Sequence, residues 1–559
     1  MVDQLPQELI DRISRCLPTQ DLKNTLLLSH AFRFSAEKYS GAFTSFDFDK
    51  DTAERFLSIY SGHRLLYLRD LRCAIRLPPP ADSARRDNAD QLRKHDMSFT
   101  EQITLLFKTV KSVEERAGNH GPGKIRLAIS PLLRPIFREL SLSYHDHLSW
   151  RIHLLDPEAL PILNSIRSLE VGDDWGGSSS VDDADHDQAH VKLDCRAMVD
   201  LVVKLPNLEY WGCRIGGDEW SPKTEQEATR YLTQDWAGPR RDTRQDFARA
   251  LLSARLPKSL QRVRLDFLYN QDQSTYIDHL TPQPDLVSPA PNDLFSTSLH
   301  QLSHHLRRLR LCVVADETLF CPKDSCSPPW PNLESLVVMF HMVAPSGKWY
   351  FVGPNGEGRD TAVIKITDAA YPPLETTPYD EEMIEQIEDE GDWRYRGSPN
   401  TRCRIVPNHA TLRPFLAAFA KAVLKMKALQ EAVLWCPLVW AAYNEDGEEL
   451  ETDCVLENGP DKNKLAWGVH YQALNERTST RQGESTPADD PLLWWKVGKW
   501  RPDPELHQLF RQFGCSSSCD GVKEQWEDED YGDRLVDRDY FERCVQEEVD
   551  KVGHILPPN

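Results

Sequence analysis

A short spacing of apolar residues recurs along most of the chain: apolar, two tolerant positions, apolar, one spacer, apolar. It occurs as "LRDLRC" (Leu68–Cys73), "FRELSL" (Phe137–Leu142), "IRSLEV" (Ile166–Val171), "LEYWGC" (Leu208–Cys213), "LQRVRL" (Leu260–Leu265), "LRRLRL" (Leu306–Leu311) and "LESLVV" (Leu333–Val338). A weaker copy, "LQEAVL", covers Leu429–Leu434. The last four residues of each alternate apolar with spacer, the signature of a half-buried strand. "KIRLAIS" (Lys124–Ser130) predicts one more strand. Several copies follow a proline, as in "LPNLEY" and "WPNLESL", where a turn releases a helix into a strand.

Between these strands the apolar period lengthens to three and four, the spacing of one helix face. Phe99, Ile103, Leu106, Val110 and Val113 share such a face, with Ser98 as the predicted N-cap and Gly118 as the stop. Leu193, Ala197, Leu201 and Leu205 form a second stripe, and Phe415, Phe419, Val423 and Met426 a third. Alternation of strand and helix predicts a mixed α/β chain, an irregular leucine-rich-repeat-like solenoid with helices on its convex side. The spacing of fourth positions is uneven, from 27 residues (Leu309 to Leu336) to 96 (Leu336 to Ala432). Ordinary repeats keep to roughly 20–29 residues, so inserted loops or further strands are implied.

The first forty residues follow another pattern. "PQELIDRISRCL" places Leu9, Ile10, Ile13, Cys16 and Leu17 on one stripe after Pro6. Pro18 stops that helix. Thr19 is the predicted cap of a second, carrying Leu22, Leu26 and Leu27, and a third surrounds "LSHAFRFSAEKY". A unit of this size buries little surface, so an outward apolar stripe marks a partner's contact. The predicted organisation is a three-helix unit over 1–45, a solenoid over 46–475, and an aromatic segment with an acidic tail over 476–559. Disordered acidic insertions are expected near 172–190 and 376–393.

Charge and chemistry narrow the function. With 87 Asp plus Glu against 66 Lys plus Arg in 559 residues, the net charge of −21 opposes nucleic acid and anionic membranes as partners. The N-terminus lacks a signal-peptide pattern, and thirteen scattered cysteines read as reduced thiols, so a soluble cytoplasmic or nuclear protein is expected. No nucleophile elbow, phosphate loop or H-E-x-x-H run is present. His186 and His190 lie in a Gly/Ser/Asp-rich loop, and the pairs Cys321/Cys326 and Cys515/Cys519 are too far apart to form one zinc site. His300, His304 and His305 read as helix-surface histidines. Arg262, Arg264, Arg307, Arg308 and Arg310 are candidates for a recognition surface or for pairing with carboxylates. No cofactor, metal or enzymatic activity is expected.

The opening residues resemble the F-box: Leu5, Pro6, Glu8, Leu9, Ile13, Leu17, Pro18, Asp21, Leu22, Leu28, Ser29 and Phe32 occupy its ordered positions. It departs at Phe32, where many members carry Trp, and at His30–Ala31, where basic residues are usual. Its pairing with leucine-rich repeats resembles F-box proteins of filamentous fungi. The resemblance implies docking on a Skp-family adaptor, and through it a cullin–RING ubiquitin ligase, with the repeat domain holding a protein substrate. The adaptor contacts it implies are Leu5, Pro6, Leu9, Ile10, Ile13, Leu17, Pro18, Leu22 and Leu28. Other readings are a scaffold bound to the adaptor outside a ligase, a plain helical cap on the solenoid, and an unrecognised enzyme in the last third.

Overall fold

The computed structural model describes residues 5–78, 87–118, 124–130, 132–135, 150–172, 188–215, 228, 231, 236–268, 277, 279, 281–322, 330–390, 404–439, 465–473, 491–514, 521–526 and 535–542. Three short helices come first: α1 (Gln7–Cys16), α2 (Thr19–Thr25) and α3 (His30–Tyr39). One 13-stranded sheet follows. Its strands are β1 (Ser45–Phe48), β2 (Asp70–Cys73), β3 (Ile125–Ile129), β4 (Ile166–Gly172), β5 (Tyr210–Arg214), β6 (Arg262–Asp266), β7 (Arg308–Val313) and β8 (Ser335–Phe340). They continue as β9 (Glu431–Leu438), β10 (Leu465–Gln472), β11 (Leu492–Lys496), β12 (Lys523–Trp526) and β13 (Val536–Asp537). The helices beyond α3 are α4 (Ala53–Tyr60), α5 (Ala89–Ala117), α6 (Arg196–Val202), α7 (Ala237–Ser253), α8 (Leu294–Ser303), α9 (Pro378–Glu390), α10 (His409–Val423) and α11 (Pro504–Arg511).

The spatial order of β1 to β12 is the chain order, and β13 pairs beside β10. Neighbours from β1 to β9 are parallel. Parallel neighbours need a crossover, and the long intervals between the strand motifs supply it. The register is what the apolar spacing implies. Phe46, Leu71, Leu127, Leu169, Trp211, Val263, Leu309, Leu336 and Ala432 pair in one continuous row. From Leu71 onward every member of that row is at most 2% exposed. The row joins a single hydrophobic core with Phe99, Ile103, Met198, Phe247, Leu299, Phe415 and Phe510 of the helices. "FRELSL" lies outside the described residues.

Several expectations are corrected. α5 begins nine residues before Ser98, because Asn88 and Gln91 form a reciprocal capping box, and it ends at Gly118 with φ 56°. α2 stops at Thr25, so Leu26 and Leu27 leave the predicted helix and sit in the turn that follows. The acidic stretch 378–390 is helical rather than disordered. Thr377 and Asp380 cap each other, through Asp380 N to Thr377 Oγ at 3.1 Å and Thr377 N to Asp380 carboxylate at 2.7 Å, and Met383 and Ile384 are buried. Residues 391–393 lie outside the described set, as do 173–187. Gln188–Val191, also expected to be disordered, is a strand antiparallel to Leu132–Pro135.

The boundary at 476 does not hold as a structural division. β11 and β12 extend the same sheet, with β9, β10 and β11 successively antiparallel and β12 parallel to β11. Here the second sheet face is covered as well. Val337, Met339, Val433, Trp435 and Ala466 form a separate core with Val536 and Phe541. Phe541 stacks on Trp435 at 5.3 Å and 4°. Gly468 makes room for that stack: a Cβ there would lie 2.7 Å from Trp435 Cβ and 2.8 Å from Phe541 Cζ.

Candidate docking site

α1 turns Ile10 and Ser14 inward, where Leu22 of α2 and Phe32, Ser35 and Ala36 of α3 complete a small interior. Ser29 caps α3 by accepting from Phe32 N at 3.3 Å, and Ser35 Oγ donates to the Ile10 carbonyl. About 100° further round α1, at one-turn spacing, Leu9 and Ile13 face solvent, and Leu5, just before the helix, is exposed as well. The turn after α2 adds Leu26, Leu27 and Leu28, of which Leu27 is 96% exposed. A sequence pairing a closed interior with outward leucines is unusual in a stable monomer, and such patches belong to interfaces.

Of the nine residues expected at an adaptor contact, Leu5, Pro6, Leu9, Ile13, Pro18 and Leu28 are exposed and Leu17 is half-buried. Ile10 and Leu22 are corrected: at 1% and 3% exposure they hold the three helices together and offer no surface. The helical stripe named Ile10 with Leu9 because adjacent residues differ by only 100°, too coarse to separate inner from outer flank. Leu26, Leu27 and Phe34 were not among the nine. An unbroken run of three leucines just past a helix end is the signal that could have found the first two.

Glu37 couples the unit to the helical turn Gly62–Leu66 that precedes β2. Its carboxylate is 4% exposed and takes Arg64 Nη2 at 2.5 Å, Arg64 Nε at 3.0 Å, His63 Nε2 at 2.9 Å and Arg33 Nε at 3.2 Å. Burial alone raises such a carboxyl. The bonds from Arg64 and His63 outweigh it and hold Glu37 down from 4.5 to about 2. Beside this junction is a cavity of about 320 Å³ lined by Asp11, Phe34, Lys38, Tyr67 and Arg69 among others. Phe34 leans edge-on against His63 at 4.1 Å.

The sheet face away from the helices is charged over its first strands. Arg126 bridges Asp70, at 2.9 Å, and Glu170. Further along, Arg262 and Arg264 align with Arg308 and Arg310. Tyr210 and Asp266 are buried beside them, and burial pushes both pKa values up. Arg307 pairs with Glu334 at 3.1 Å, and the other four arginines are likewise engaged by neighbours. None of these arginines is left without a partner.

Among the described residues, no three His, Cys, Asp or Glu side chains converge as metal ligands, and no helix is long and apolar enough to cross a membrane. His190 lies in a strand, Cys321 is exposed, and His186, Cys326, Cys515 and Cys519 lie outside the described residues. Comparison of the sequence with family models and with curated proteins returns no match.

Proposed function

We propose that this chain is the substrate-recognition subunit of a Skp–cullin–F-box ubiquitin ligase. In this reading the three-helix unit docks on the Skp-family adaptor, and the repeat-like sheet body presents a protein substrate. One observation carries the reading: Leu5, Leu9, Ile13 and Leu26–Leu28 are exposed on a unit whose own interior is already closed by Ile10, Leu22, Phe32 and Ala36. The ordered F-box positions in the sequence supply the identity of the partner. The Glu37–Arg64 coupling suits the role, since a receptor must hold its substrate at a set position relative to the ligase. The bond-forming chemistry would belong to the RING and E2 subunits.

Interface energy concentrates in a few anchors, so Leu9→Ala with Ile13→Ala is expected to abolish co-purification with the Skp adaptor while the sheet body stays folded. Wild-type levels of adaptor on the double variant would sink the docking assignment. Ubiquitylation of co-purifying proteins, compared with and without residues 1–45, then separates ligase receptor from adaptor-bound scaffold: no change selects the scaffold.

A further inference from the structure

His300 and His304 sit one turn apart at the end of α8. His300 is 4% exposed, and its Nδ1 lies 3.0 Å from the Leu319 carbonyl oxygen. A carbonyl only accepts, so Nδ1 carries the hydrogen and Nε2 presents its lone pair. Nε2 of His304 is 3.2 Å from that lone pair, with the rings at 86° and their centroids 4.8 Å apart.

Trp330 fixes both rings. His304 stacks on the indole at 4.7 Å and 24°, His300 meets it edge-on at 5.1 Å, and the indole N–H donates to Ser303 Oγ at 2.6 Å. A metal about 2.0–2.1 Å from each of two imidazole nitrogens, at right or tetrahedral angles, spaces those nitrogens by roughly 2.9–3.4 Å. The pair is therefore set at metal-bridging distance before any metal arrives. The Leu319 carbonyl occupies the place of the outer partner that orients a ligating histidine.

The hydrogen between the two Nε2 atoms therefore sits on His304, whose Nδ1 has no hydrogen-bond partner among the described residues and can take that hydrogen instead.

We propose that His300 and His304 form a two-histidine site for a divalent transition metal of the imidazole-preferring class, with water completing the coordination. On binding, the metal replaces the hydrogen between the two Nε2 atoms, and His304 carries its hydrogen on Nδ1. The site is independent of the docking surface and of the function proposed for it.

The probe is Ni2+, titrated calorimetrically into the full-length chain at pH 7.5 as wild type, His304→Gln and His305→Gln. Losing a direct ligand costs at least the tenfold typical of losing an outer partner. The wild type should show a micromolar site. His304→Gln should weaken it at least about tenfold, and His305→Gln, altering the exposed neighbour, should leave it intact. A circular-dichroism spectrum checks each fold, and His304→Asn replaces the glutamine variant if that one fails to fold. Equal binding by wild type and His304→Gln overturns the proposal, as does a wild type with no site tighter than about 1 mM.

Discussion

The two leucine-rich regions of this chain use the same residue in opposite ways. In the sheet body, Leu71, Leu127 and Leu169 are 0% exposed and pair side by side across three strands. In the three-helix unit, Leu9 and Leu28 stand about half exposed and Leu27 almost wholly so. The difference is one of geometry and size. A parallel sheet capped by helices on one face can bury every second residue of every strand. Three helices totalling some thirty residues have one small interior, and Ile10, Leu22, Phe32 and Ala36 fill it. Surplus leucines in the first region are core; in the second they stay exposed.

Substitutions can break or sharpen this contrast. The largest effect is expected in the core row. Trp211, fully buried between Leu169 and Val263, should cost about 3–5 kcal/mol as Trp211→Ala, read from the urea midpoint. A loss below about 1 kcal/mol would mean the row is not the centre of the body.

Glu37→Gln is expected to rank second, at about 2 kcal/mol, because it strips the charge from the Arg64 and His63 bonds. Its signature is regional: hydrogen exchange should quicken in residues 5–40 and leave β5 to β8 protected. The pH dependence has a definite sign. Glu37 is held below its ordinary 4.5, so its contribution is full above that value and is lost as pH falls toward about 2. The variant should lack this acid-side component, and identical acid profiles for both proteins would exclude the coupling role.

The smallest effect on stability belongs to the exposed leucines. Leu27→Ser should leave the melting curve within about 0.5 kcal/mol of wild type, yet weaken capture of the Skp adaptor. Unfolding of the helical unit by this change would show that Leu27 serves the unit's own packing.

Much of this arrangement was legible in the residues. The strand motifs announced β2 and β4 to β9, and Lys124–Ser130 announced β3, because alternation in a strand is local and survives any tertiary context. β1 carries the same spacing, since "FTSFDF" (Phe43–Phe48) has Phe43 as its anchor packed against the core, but phenylalanine in place of leucine and a strand of only four residues hide it. β10 is not legible because both of its faces are buried, which removes the alternation; Ala466 and Trp467 are both hidden. β11 alternates in burial, but its less buried positions Leu492 and Trp494 are apolar too, and β12 is a short, partly exposed strand with one apolar residue. The acidic helix α9 was masked by its composition, although its Thr377–Asp380 cap and Met383–Ile384 pair were visible.

The docking surface divides the same way. Its leucines, prolines and their order are written in the chain, while the inward turn of Ile10 and the outward turn of Leu9 depend on where α3 lies. The histidine pair shows the limit most sharply: residues 300 and 304 are one turn apart in any helix, but their converging nitrogens require the Leu319 carbonyl, nineteen residues beyond His300, and the Trp330 indole, twenty-six beyond His304. Sequence by itself determined the strands β2 to β9, their period, the three-helix beginning and the acidic balance, because these follow from neighbours along the chain. Only the tertiary structure decided which leucines are left for a partner, which charges are paired and which ring nitrogens meet, because those depend on contacts between segments whose separation the local pattern does not encode.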